Sequence, residues 1–188
     1  MKGSIIVLDD FYYVPDKVRD YALSLPFNVE GNYPGVRTSN QINDDTKTAI
    51  QDILWPVAGN VTNWLDKDGE GYTGSFQVCQ SNQKTWIHQD DFNNWAGVLY
   101  LSPDAPLNSG TSFYKHKDTG VFDSDEVGNA LDPDGSDYSK WEEVDRIANK
   151  YNRLILFRAN QFHASTSHFG GSLDTGRLTQ VFFIQTER

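Results

Sequence analysis

Around Ser75 the hydrophobic pattern of this chain changes period, and that change decides which folds are open to it. Downstream, the runs SFQVCQS, KTWIHQD, WAGVLYLS, GTSFYKHK, NRLILFRA and GRLTQVFFIQT have strand length and are separated by polar or glycine-bearing connectors. Upstream, the spacing is helical. Val18, Tyr21, Ala22 and Leu25 share one face of a segment that Pro15 opens and Pro26 ends. Ile50, Ile53, Leu54, Val57, Val61, Trp64 and Leu65 form a longer stripe, which predicts a helix from about Asp45 to Asp66, capped by Asp44 or Asp45 and kinked near Pro56 and Gly59. SIIVLDD at 4–10 predicts a strand, GNYPGVRTS at 31–39 a loop, and DKDGEGYTG at 66–74 a turn cluster that lacks the ligand positions of a calcium loop.

The acidic, turn-rich stretch 123–138 reads as a solvated loop in preference to a lid. It leads into an expected short helix in which Ser139 and Glu142 are spaced as a capping box, with Trp141, Val144 and Ile147 on one side. No repeat and no linker-like connector is visible. The expectation is therefore a single domain over 1–188: a mostly β fold with flanking helices, in which 1–74 supply the first strand and supporting helices and 75–188 the β core.

A formal net charge of -10 argues against the broad basic surface that nucleic-acid backbone binding requires, so no nucleic-acid partner is expected. No apolar run approaches the ~20 residues needed to cross a bilayer, so no membrane partner is expected either. Cys79 is the only cysteine, which rules out an intrachain disulfide and fits a cytoplasmic setting. Cys79 itself reads as buried packing, and His116 and His168 as surface or loop histidines.

Chemistry concentrates in KTWIHQDD. If residues 85–90 are extended, Trp86, His88 and Asp90 share one face, and imidazole and carboxylate converge on one point. A divalent metal is the simplest resident there, the plainer reading being an ordinary hydrogen-bonded pair. His163, after the apolar run RLILFRANQF, can add a third ligand or be merely structural. Two histidines and one carboxylate form the facial set that leaves metal positions open. Arg177, Thr179, Val181 and Phe183 alternate inward on the last strand, where a guanidinium fork can grip one end of a dicarboxylate with Thr179 assisting. The plainer reading of Arg177 is a surface arginine paired with an aspartate.

Taken together, His88-x-Asp90, His163 and Arg177-x-Thr179 on a strand-rich C-terminal region resemble the 2-oxoglutarate and Fe(II) dependent oxygenases, in particular their prolyl-hydroxylase-like branch. VLDDFYYVPDKVRDYAL is similar to the opening of such proteins, and AGVLYLS and SGTSFYKHK to the strand, connector and Gly-Thr-x-Phe turn that follow the first ligands. The resemblance implies a double-stranded β-helix, also called a jelly roll or cupin-like fold. It implies Fe(II) on His88, Asp90 and His163, and 2-oxoglutarate held by Arg177 and Thr179, with Tyr100 on a strand that offers another cosubstrate contact. It further implies O2 as cosubstrate, succinate and CO2 as products, and hydroxylation of a peptide or small-molecule substrate. Two features depart from the usual pattern: Asp91 directly follows Asp90, and the interval from His163 to Arg177 is long. Zinc-dependent hydrolysis and other cupin-type metal chemistry are rival readings that leave Arg177 with no required partner, and a non-catalytic jelly-roll binding module, with no iron dependence, is a third.

Overall fold

Of the six strand-length runs after residue 74, five enter β-ladders and one does not. The computed structural model describes residues 4–66 and 72–188. In chain order it contains β1 (Ile5–Leu8), α1 (Pro15–Ser24), β2 (Val36–Arg37), α2 (Asp44–Ala58), β3 (Val61–Asn63) and β4 (Phe76–Cys79). There follow β5 (Trp95–Tyr100), β6 (Thr111–His116), β7 (Trp141–Ile147), β8 (Leu154–Arg158), β9 (His163–Ser165) and β10 (Arg177–Thr186). The larger sheet has the order β1-β8-β5-β10-β4-β2, with β3 also beside β10, and the smaller has the order β7-β6-β9. Both are antiparallel and together form a jelly-roll-like arrangement, without a closed barrel among the described residues.

β10 shows why the layers stack as they do. Its even-numbered residues Leu178, Phe182 and Ile184 join Trp95, Leu99 and Leu156 in packing against Ala22, Ile50 and Leu54 of the helices. Its odd-numbered residues Arg177, Thr179, Val181 and Phe183 face a cavity on the other side. Period-two alternation thus sends apolar residues to the helix layer and a mixed set to the cavity. Between the sheets, Phe113 of β6 meets Phe157 of β8 edge-on at 5.2 Å between ring centroids.

The N-terminal reading needs correction in three places. The expected long helix stops at Ala58, with Asn43 as its N-cap: the Asn43 side chain accepts from Thr46 N at 2.9 Å. Pro56 sits in its last turn, and Gly59, at φ 76° and ψ -153°, takes an extended positive-φ conformation open to glycine, which turns the chain out of the helix. Val61–Asn63, read as a continuation of the stripe, instead pair with Gln185 and Thr186 at the end of β10. The 31–39 loop contains the two-residue strand β2, which pairs with Val78 and Gln77. The turn cluster at 66–74 lies in large part, at 67–71, outside the described residues.

The expected helix after residue 139 is also overturned. Tyr138–Lys140 form a single 3-10 turn capped by Asp137, and Trp141–Ile147 then run as strand β7 along β6. β7 is an edge strand, exposed at Glu142, Glu143, Asp145 and Arg146, and its charges suit an edge that must not recruit further strands. His116, expected at the surface, is buried at 3% exposure and sits 3.2 Å from Asp134. Cys79 is buried, as expected. No helix of the described residues is long and apolar enough to cross a membrane.

Phe182 is fully buried between sheet and helices. Phe182→Ala should lower stability by about 3–5 kcal/mol, while Val144→Ala on the exposed edge strand should change it by no more than about 0.5 kcal/mol. Equilibrium urea denaturation of the two variants checks the layering.

Candidate metal centre

The one run that forms no ladder is the one that carries His88 and Asp90. Residues 83–87 lie outside regular structure, and His88 makes an isolated antiparallel bridge to His163. His88 N donates to His163 O at 3.0 Å, and His163 N donates to His88 O at 2.8 Å. Two further backbone bonds hold the flanks, Ile87 N to Gly135 O at 2.9 Å and Asp90 N to Ala159 O at 2.8 Å. Ile87 packs with Leu131, Trp141 and Phe162, so the acidic stretch supplies both a carbonyl and apolar contacts that support this segment. His88, Asp90 and His163 offer donor atoms that all lie within 4.8 Å of one another.

Each histidine is oriented in the same way. His88 Nδ1 lies 3.0 Å from Trp86 O, and His163 Nδ1 lies 2.8 Å from Gln161 O. A carbonyl only accepts, so each Nδ1 carries the proton and each Nε2 presents a lone pair. His163 Nε2 stands 3.8 Å from Asp90 Oδ2, too far for a hydrogen bond. Burial, with the neighbouring His88, pushes the His163 pKa down to about 3, and burial pushes that of Asp90 up against the pull of His88 and Arg37. The Asp90 carboxylate has no hydrogen-bond donor among the described residues, which makes it a costly group to bury without a cation. Two lone-pair nitrogens and one carboxylate around a gap fit a divalent metal with bonds of about 2 Å. Asp91 is exposed and accepts instead from Asn129 Nδ2 at 3.1 Å.

The triad opens into a cavity of about 590 Å³ between the sheets. Arg177 and Thr179 line it from β10, and both are buried. Arg177 is no surface ion pair: its Nε donates to Ser109 O at 2.8 Å and its Nη2 to Gly110 O at 3.1 Å, which leaves Nη1 without an acceptor among the described residues. Tyr100 stands behind this wall. Its ring lies 5.5 Å from the Arg177 guanidinium carbon, and its hydroxyl is 2.8 Å from Thr111 Oγ1, a cavity-lining atom group. Burial pushes the Tyr100 phenol up, so it stays neutral. His168, half-buried in the loop after β9, is 2.7 Å from Ser165 Oγ through Nε2.

Sequence reasoning missed Arg37, Tyr33 and Gln77, which also line the cavity. A signal was available in Gln77, a polar residue inside the otherwise apolar FQVC strand. Arg37 carried none, because its strand is only two residues long.

Solved structures share this architecture. HygX from Streptomyces hygroscopicus, with nickel, 2-oxoglutarate and hygromycin B bound, is 10% identical at a TM-score of 0.65, over 98% of this chain and 83% of that one. SnoN, a non-heme alpha ketoglutarate dependent epimerase from nogalamycin biosynthesis, is 13% identical at 0.61, over 98% and 78%. A prolyl hydroxylase from Trichoplax adhaerens, in complex with a hypoxia inducible factor oxygen degradation domain peptide fragment, is 12% identical at 0.56, over 98% and 84%. At such identities the likeness is one of fold alone. No curated protein matches the chain. A family model matches residues 1–184, and the chain belongs to that family, DUF6445, a family of unknown function.

Proposed function

We propose that this protein is an Fe(II)- and 2-oxoglutarate-dependent oxygenase that hydroxylates a small-molecule or peptide substrate, acting as a single domain over 1–188 with a double-stranded β-helix core. The observation that carries the reading is the gap shared by His88, Asp90 and His163, whose donors all lie within 4.8 Å at one end of a cavity that also holds a buried arginine. A like-folded protein with nickel and 2-oxoglutarate bound supports it.

His88 and His163 hold the metal through Nε2, and the Trp86 and Gln161 carbonyls keep both rings in that tautomer. Asp90 supplies the anionic ligand. Arg177 receives the distal carboxylate of 2-oxoglutarate with its free Nη1 edge, assisted by Thr179, while the Ser109 and Gly110 carbonyls fix the fork. Tyr100 acts as a positioning residue, orienting Thr111 and backing the guanidinium. When bound, Fe(II) would activate O2, the oxidant: 2-oxoglutarate would give up two electrons and take one oxygen atom as it goes to succinate and CO2, and the other atom would convert a substrate C–H to C–OH. The chain's own part is to fix the ligands, exclude bulk water from the gap and aim the substrate at it.

Mn(II) titration followed by electron paramagnetic resonance should show one tight site per chain, weakened at least about 100-fold in Asp90→Ala and unchanged in Asp91→Ala. Equal losses in both variants would remove Asp90 from the ligand set. Arg177→Gln should raise the 2-oxoglutarate concentration needed for half-maximal succinate release by about 10- to 100-fold, the worth of a charge-assisted pair. An unchanged requirement would reject that role for Arg177.

A further inference from the structure

Arg37 is a second buried guanidinium in the same cavity, and nothing in the metal or cosubstrate chemistry uses it. It is 6% exposed, on β2. Its Nε donates to Gln77 Oε1 at 2.9 Å, and Gln77 Nε2 donates to Pro34 O at 2.7 Å, which fixes the acceptor. The guanidinium carbon lies 3.7 Å from the Tyr33 ring centroid, 5.3 Å from that of Tyr72 and 5.6 Å from that of Phe183. Gly35 makes this packing possible: at φ 80° a Cβ there would lie 2.1 Å from Val78 O, so only glycine lets the turn press onto β4. One edge of the fork is thus occupied and its flanks are aromatic. The Nη1/Nη2 end has no acceptor and no carboxylate within 4.0 Å among the described residues. Burial lowers the Arg37 pKa to about 10, so it remains a cation at neutral pH.

A buried cation is costly without an anion. Among the described residues, the cavity's other carboxylates, Asp91 and Asp132, are exposed, and Asp91 is engaged by Asn129. On the oxygenase reading, on which this inference rests, the charges of a divalent metal and Arg177 are balanced by Asp90 and the two carboxylates of 2-oxoglutarate. Among the described residues Arg37 is left over, with room for one negative charge. We propose that Arg37 is a specificity-determining residue: the substrate carries a carboxylate next to an apolar or aromatic portion, the carboxylate is gripped end-on by the Arg37 fork, and Tyr33, Tyr72 and Phe183 flank it. A planar, singly charged oxyanion matches both the fork and the charge left over, whereas a phosphate monoester dianion brings one charge too many.

The test is calorimetry on protein loaded with Ni(II) and 2-oxoglutarate, which binds without turnover. Probes are the matched pairs phenylacetate and phenylacetamide, and N-acetylphenylalanine and its amide, with phenyl phosphate as a third arm. The carboxylates should bind at least about 10-fold more tightly than their amides. Arg37→Gln should erase that preference while leaving 2-oxoglutarate affinity within about 2-fold, and Arg177→Gln should do the reverse. Should Arg37→Gln not fold, Arg37→Lys keeps the charge without the planar fork, and the preference should fall several-fold. Absence of carboxylate binding or preference in the unaltered protein, tighter binding of phenyl phosphate, an unchanged preference in the Arg37 variants, or loss of 2-oxoglutarate affinity in Arg37→Gln would each overturn the proposal. A protein that takes up neither Ni(II) nor 2-oxoglutarate would defeat the oxygenase reading instead, and the same pairs titrated into the metal-free protein would then judge Arg37 by the carboxylate preference and its loss in the Arg37 variants.

Discussion

The reciprocal pair of backbone hydrogen bonds between His88 and His163 is the contact on which the site depends. It ties a segment with no ladder of its own to β9, the edge of the smaller sheet, and so brings together side chains separated by 75 positions. Because the two residues are paired across an antiparallel bridge, their side chains leave on the same side. Asp90, two positions on, follows them by the alternation of extended chain. Gly135 and Ala159 then anchor the segment on either flank, so the donor geometry is set by main chain and not by long side chains.

Charge is distributed unevenly in this molecule. The chain as a whole carries -10, yet two guanidinium groups, Arg37 and Arg177, are buried together in one cavity. Each is held by carbonyl or amide oxygens, which orient it without neutralising it. Cations at Arg37 and Arg177 with no carboxylate partner among the described residues, beside a carboxylate with no hydrogen-bond donor among them, leave charges to be met by ligands. That unmet electrostatic demand is a stronger argument for chemistry than the fold alone, since one architecture hosts many activities.

Much of this was legible in the sequence, for identifiable reasons. The alternation in RLTQVFFI placed Arg177 and Thr179 on the inner face, because a strand buried on both sides has two fixed faces and only one of them tolerates polar groups. The His-x-Asp spacing was legible although the segment is not a ladder strand, since extended backbone alternates side chains with or without partners. The errors came where a local pattern fitted two periods. Val61 and Trp64 continue the helical stripe of α2, but Pro56 and Gly59 had already ended it, and both residues reach the same core from β3 and its sequel. Ser139 and Glu142 matched a capping box, yet β6 offered β7 a ladder that outweighed a short isolated helix. Arg37 was invisible because its place is fixed by β4, forty positions away, and by a turn that only Gly35 allows.

On the proposed function, three side chains and a waiting guanidinium assemble one centre for iron and an organic diacid. Anaerobic absorption spectroscopy addresses it most directly. Adding Fe(II) and then 2-oxoglutarate to the metal-free protein should develop a weak, broad visible band that saturates at one equivalent of iron and is absent from His163→Ala. A spectrum that stays featureless when iron is demonstrably bound, or a band equally strong in the His163 variant, would contradict the account.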